Sequence, residues 1–112
     1  MALIDTAPNL YGPKFFGDLS LCFIVIENTA RVAAESSAET GVTSAGSGVY
    51  NLTFPKATLG WVLGPPTLIG VAGATAAEVI AFDADAGTMQ IDTGSDLSGG
   101  DRCHVVLILG AP

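Results

Sequence analysis

The chain has 112 residues, room for one domain around one core. Its residues are 49% hydrophobic and only 13% charged, about half the charged share of an ordinary soluble domain, so some surface is expected to be buried against other chains. Eleven acids against four bases give a net charge of −7, with no Lys or Arg between Ala57 and Asp101; this speaks against a nucleic-acid partner, and no apolar run reaches the roughly 18 residues that cross a bilayer.

The N-terminal stretch MALIDTAPNLYGPKFF carries no basic region followed by an apolar one, so the expectation is a chain made and kept in a cytoplasm until lysis. Residues 1–18 are punctuated by Pro8, Gly12, Pro13 and Gly17 and offer Tyr11, Phe15 and Phe16 as aromatic anchors. They read as an extended arm that packs on a neighbour, or as a loop over the domain's own core. Residues 19–112 read as the folded domain.

LCFIVI (21–26) is a continuous apolar run that suits a strand buried on both faces. TARVAAESSAET (29–40) reads as a strand with Val32 and Ala34 opposed to Arg31 and Glu35, or as a short helix capped by Thr29. GVTSAGSG (41–48) has the composition of a flexible loop. VYNLTF (49–54) alternates, with Tyr50, Leu52 and Phe54 on one face, and Pro55 ends it or sits at an edge. LGWVLGPPTLIGV (59–71) predicts two short strands broken at Gly64-Pro65-Pro66.

AEVIAFD (77–83) places Glu78, Ile80 and Phe82 on one face and Val79 and Ala81 on the other; TMQID (88–92) places Met89 and Ile91 together. The residues between them end in Gly87, the pattern of a β-hairpin turn. GSDLSGGDR (94–102) is a further turn-rich loop, and CHVVLIL (103–109) is a final strand apolar on both faces, suited to the middle of a sheet. Together these elements predict an all-β, single-domain β-sandwich or jelly-roll-like fold of seven to eight short strands.

Asp83, Asp85 and Gly87 also have the D-x-D-x-G spacing that opens many calcium loops, so Asp83 and Asp85 are the calcium candidates. Such a loop needs an oxygen ligand where Gly87 stands and a glutamate where Gly94 stands. The turn accounts for the same residues without a metal, although Asp92, Asp96 and Asp101 remain available to join them in space. Cys103 and His104 are adjacent and face opposite sides of a strand, which suits neither a zinc site nor a nucleophile–base pair. Cys22 and Cys103 read as buried free thiols, or as a disulfide if their strands are neighbours. With no G-x-S-x-G elbow and no glycine-rich loop leading to a Lys, the expectation is a protein with no enzymatic activity and no cofactor.

SGVYNLTFP (47–55), FDADAGTMQIDTG (82–94) and GGDRCHVVLILG (99–110) resemble the layout of decoration, or cement, proteins on the capsids of tailed bacteriophages. The shared style is an alternating strand before Pro, a D-x-x-x-G-T hairpin, then a Gly-Asp loop into a final apolar strand. The chain is also similar to trimeric jelly-roll domains of the tumour-necrosis-factor kind, although Arg102-Cys103-His104 interrupts their D-x-V pattern. The phage resemblance implies a virion protein on the outer capsid surface, binding the major capsid protein as a homo-oligomer, with a trimer favoured. It implies that residues 1–18 are the arm, and that Arg31 and Arg102 pair with acidic capsid loops. The alternatives are a tail or fibre domain that binds a host glycan through Trp61 and the Asp-rich loops, and a cellular β-sandwich interaction module.

Overall fold

The computed structural model describes residues 19–70 and 77–110; the expected arm, with Tyr11, Phe15 and Phe16, lies outside them. The described residues form nine strands and no helix. These are β1 Leu19–Glu27, β2 Ala30–Arg31, β3 Gly41–Gly46, β4 Val49–Thr53, β5 Leu59–Val62, β6 Thr67–Ile69, β7 Glu78–Asp83, β8 Thr88–Asp92 and β9 Arg102–Gly110. One antiparallel sheet has the order β2-β1-β9-β5, with β6 also on β9; the other has the order β3-β4-β8-β7. The fold is therefore the all-β sandwich that the alternating segments predict.

Between the sheets lies one core. Cys22, Ile24 and Ile26 of β1 and Cys103, Val105, Leu107 and Leu109 of β9 face Tyr50, Leu52, Phe54, Met89 and Ile91 of the second sheet. β9 is central as expected, and all nine of its residues pair with β1. On its other side it pairs with β5 near Gly110 and with β6 near Arg102. Gly64-Pro65-Pro66 separates these two short partners, because proline cannot donate to a ladder.

Three segments depart from expectation. GVTSAG is the strand β3, paired with β4 across a register shift between Ser44 and Gly46. Its composition is loop-like, so the pairing partner decides its conformation. The 29–40 segment is neither a full strand nor a helix: only Ala30 and Arg31 pair with β1. The loop that follows lies along the β1 edge, where the Ser37 and Ser36 hydroxyls accept hydrogen bonds from the Phe23 and Val25 amides at 2.8 and 3.0 Å. Two serine hydroxyls thus replace a neighbouring strand and satisfy an otherwise open edge.

The third departure is in β7. A register shift between Val79 and Ala81 inserts a bulged residue. Val79 and Phe82 both pack on the core, while Ile80 is 45% exposed; the simple alternation that groups Ile80 with Phe82 is broken there. The β7–β8 hairpin itself forms as predicted. Gly87 has φ of 70° and its amide donates to the Asp83 carbonyl at 3.0 Å.

Cys22 and Cys103 are both buried and free. Their strands are neighbours, yet Cys22 stands opposite Leu107 and Cys103 opposite Ile26. Four residues of strand separate them, roughly 13 Å along the sheet, far outside disulfide reach. Burial pushes the Cys103 thiol up to about 12. Burial also raises Cys22, and a hydrogen bond with Ser37 partly offsets it.

Candidate functional site

The side of the five-stranded sheet turned away from the core is its most unusual surface. Antiparallel pairing aligns opposite residues on the same face, so the register fixes its rows. Leu19, Gly110 and Leu59 make one row; Leu21, Ile108 and Trp61 make the next. Phe23 and Val106 follow, joined by Leu63, whose amide donates to the Val106 carbonyl at 2.9 Å. None of these residues is charged or polar.

Leu21 is 56% exposed, Phe23 42%, Leu59 52%, Trp61 46% and Leu63 48%. They leave on the order of 500 Å² of apolar side chain to solvent among the described residues, at the upper end of what a monomer carries. This overturns the expectation that LCFIVI is buried on both faces: Ile24 is inaccessible, while Leu21 and Phe23 are open. Trp61 is legible in the sequence as a candidate contact. Leu21, Phe23, Leu59 and Leu63 carry no such mark, although the odd positions 19–23 and 59–63 are apolar throughout.

At one end the face turns polar. The next row holds Val25, His104 and Thr67, and the last holds Glu27, Arg102 and Ile69. The Arg102 guanidinium is hydrogen-bonded to the Glu35 carboxylate and stands 3.6 Å from that of Glu27. That bond holds the Glu35 carboxyl below the usual range and raises Arg102. Arg102 Nε and His104 Nε2 are sealed from water with no hydrogen-bond partner among the described residues. Arg31 donates to Thr40 Oγ1 at 2.7 Å and to the Ser37 carbonyl at 2.9 Å. Both candidate arginines therefore hold the 30–40 loop of their own chain.

The opposite outer face, on the four-stranded sheet, has the reverse character. Its rows are Thr53, Thr88 and Asp83; Thr43, Asn51, Gln90 and Ala81; and Val49, Asp92 and Glu78. Gln90 donates to Asn51 at 2.8 Å. A shallow depression of ≈ 410 Å³ lies over Asn51, Thr53, Ala81, Asp83, Thr88 and Gln90, and Asp83 is its one titratable side chain.

The aspartates serve the turns. Asp83 accepts from the Ala86 amide at 3.2 Å and Asp92 from Gly94 at 2.8 Å; Asp96 accepts from Gly48 at 2.7 Å and Asp101 from Ser98 at 3.2 Å. Asp85 is exposed on the hairpin. Among the described residues no three His, Cys, Asp or Glu side chains converge as a metal site would require, so the calcium candidates Asp83 and Asp85 are not joined by Asp92, Asp96 or Asp101. Trp61 shares no face with these loops. An inward Cβ at Gly60 would meet Phe82 and Ala84, and Trp61 projects from the other side of β5.

Cys103 faces the core and His104 the outer face, so they do not pair as nucleophile and base.

No protein-family model, curated protein or solved structure matches this chain.

What the arrangement offers is contact area. One side is apolar and free of charge over three rows; the other is polar and acidic. A surface of this kind gains free energy by leaving water, at about 25 cal/mol for each Å² buried.

Proposed function

We propose that this chain is a non-enzymatic structural protein of a bacteriophage virion, which decorates and stabilises the outer capsid surface by seating between major capsid proteins. The uncovered apolar face around Leu21, Phe23, Leu59, Trp61 and Leu63 carries the reading. A patch at the upper end of what a monomer carries suits a component of an assembly, which buries it against protein. The unlike second face supports the same role, because a decorating subunit turns one side to protein and another to water. The resemblance of residues 47–55, 82–94 and 99–110 to decoration proteins supports a phage shell as that assembly.

Such a protein works by shape and buried area. It ties neighbouring capsid subunits together and slows their separation under internal pressure. The test is co-sedimentation of the purified chain with assembled, undecorated phage capsids and with unassembled capsid subunits. Saturable binding to the shell, with a raised temperature of capsid disruption, is expected. Absence of binding to the shell, or equal binding to free subunits, would overturn the reading.

A further inference from the structure

We infer that the apolar outer face of the five-stranded sheet closes on the same face of a second copy of this chain, giving a two-fold dimer rather than the trimer expected from its resemblances. The inference rests on the reading of the chain as a component of an assembly; it gives this face to a second copy, so that a shell would be met by the remaining surface of the dimer.

Area is the first argument. The three apolar rows, Leu19–Gly110–Leu59, Leu21–Ile108–Trp61 and Phe23–Val106–Leu63, form one continuous patch across β1, β9 and β5. Its exposed side chains amount to on the order of 500 Å² before the rim is counted, and standard interfaces bury about 800 Å² on each partner. Rows of this kind from two twisted sheets interdigitate at about 30°, as the layers of a sandwich do.

Symmetry is the second. A three-fold ring is heterologous: each subunit must offer two different, mutually complementary patches. The described surface offers one large apolar patch. The outer face of the other sheet is lined by Thr53, Thr88, Asn51, Gln90 and Asp83, and Ile80 is the isolated large apolar side chain exposed on that sheet. A single patch that matches itself closes through a two-fold axis, and closure leaves nothing to propagate into a fibre.

Charge is the third. A chain of net charge −7 resists meeting its own copy unless its acids lie away from the contact. Here Glu78, Asp83 and Asp92 stand on the four-stranded sheet. Sheets pack roughly 10 Å apart, so a face-to-face dimer sets the two acidic faces about 30 Å from one another. That is several Debye lengths at physiological salt. On the five-stranded sheet and the loop at its edge, Glu27 and Glu35 flank Arg102. The acids of the four-stranded sheet thus lie away from the contact and keep the outside of the dimer soluble.

The experiment uses the full chain. Light scattering from about 1 to 100 μM is expected to give twice the 11.3 kDa chain mass. The sole tryptophan, Trp61, lies inside the contact, so its emission should shift to the red as dilution separates the copies. Phe23→Glu should give the monomer mass with the far-UV signature of the sandwich intact, and Thr88→Glu, on the opposite face, should leave the dimer. If Phe23→Glu does not fold, the emission and mass of the native chain on dilution decide the matter alone. A native chain that stays monomeric over the whole range, or that forms a trimer, overturns the inference; so does a folded Phe23→Glu variant that still dimerises.

The two readings fail separately. A dimer that ignores capsids would refute the decoration role and leave the dimer standing. A monomer that saturates capsids would refute the dimer and leave the decoration role.

Discussion

The Tyr50 hydroxyl accepts a 2.8 Å hydrogen bond from the amide of Leu97, 47 residues further along the chain. Both residues are buried, so this bond fastens the 94–101 loop to the core from inside. Burial also raises the Tyr50 phenol, which keeps it neutral. Tyr50→Phe would strand the Leu97 amide without water or acceptor. The expected loss is about 1–2 kcal/mol, read as a lower urea midpoint with an unchanged slope.

Gly87 and Gly64 share a left-handed backbone, with φ of 70° and 73°, yet their surroundings differ. A Cβ on Gly87 would run into the Phe54 carbonyl oxygen, and the Phe54 amide in turn donates to the Gly87 carbonyl at 2.9 Å. Among the described residues nothing lies within 4 Å of a Cβ on Gly64. Gly64→Ala should cost only the left-handed penalty, about 1 kcal/mol. Gly87→Ala should cost roughly 3 kcal/mol or more, since backbone must also move. Equal melting temperatures for the two variants would show that the close approach to β4 is unimportant.

Cys103 makes the sandwich sensitive to alkali. Its thiol is buried and its pKa stands at about 12 in the fold, against 9.0 for the free side chain. The folded chain holds this proton more tightly than the unfolded one, so the contribution is complete below pH 9 and is lost as pH rises towards 12. Tyr50, also raised by burial, acts in the same direction at higher pH. Cys103→Ala should be less stable at pH 7, through the cavity it leaves, and should lose stability less steeply between pH 9 and pH 11. Parallel pH profiles would refute this assignment.

The link between Glu35 and Arg102 makes an opposite, acid-side prediction. Its hydrogen bond to Arg102 holds the Glu35 carboxyl below the usual range. A depressed carboxylate stabilises the fold above its unfolded pKa and loses that contribution as pH falls through the folded one. The pair is exposed, so the effect on global stability is small. It is best read residue by residue: an NMR titration of Glu35 should move up towards the ordinary value in Arg102→Gln. Amides of the 30–40 loop should exchange faster in that variant.

Much of the fold can be read from alternation alone. Tyr50, Leu52 and Phe54 declare β4, and Met89 and Ile91 declare β8, because each strand has one face in the core and one in water. β3 escapes such reading since Gly, Ser and Thr fill an edge strand whose conformation comes from its partner β4. The bulge in β7 escapes because a single inserted residue resets which positions face inward. The candidate face was hidden for a different reason. LCFIVI carries apolar residues on both faces, and a sequence cannot distinguish a strand buried twice in its own chain from one buried once and left open. Register settled it by aligning Leu21 with Ile108 and Trp61.

Ile24 and Phe23 are neighbours on β1 and put that difference to the test. Ile24 is fully inaccessible in the core, while Phe23 is 42% exposed on the outer face. Ile24→Ala removes core packing and should cost about 2–5 kcal/mol at any protein concentration. Phe23→Ala should cost about 1–2 kcal/mol in a dilute sample, where the copies are apart and the ring is only partly covered. At high concentration the native chain should gain stability from association and Phe23→Ala should gain much less. Thermal melts of both variants and the native chain at two concentrations therefore separate core from contact. A penalty for Phe23→Ala as large as that for Ile24→Ala, and independent of concentration, would place the ring in the chain's own core and remove the basis for a docking face.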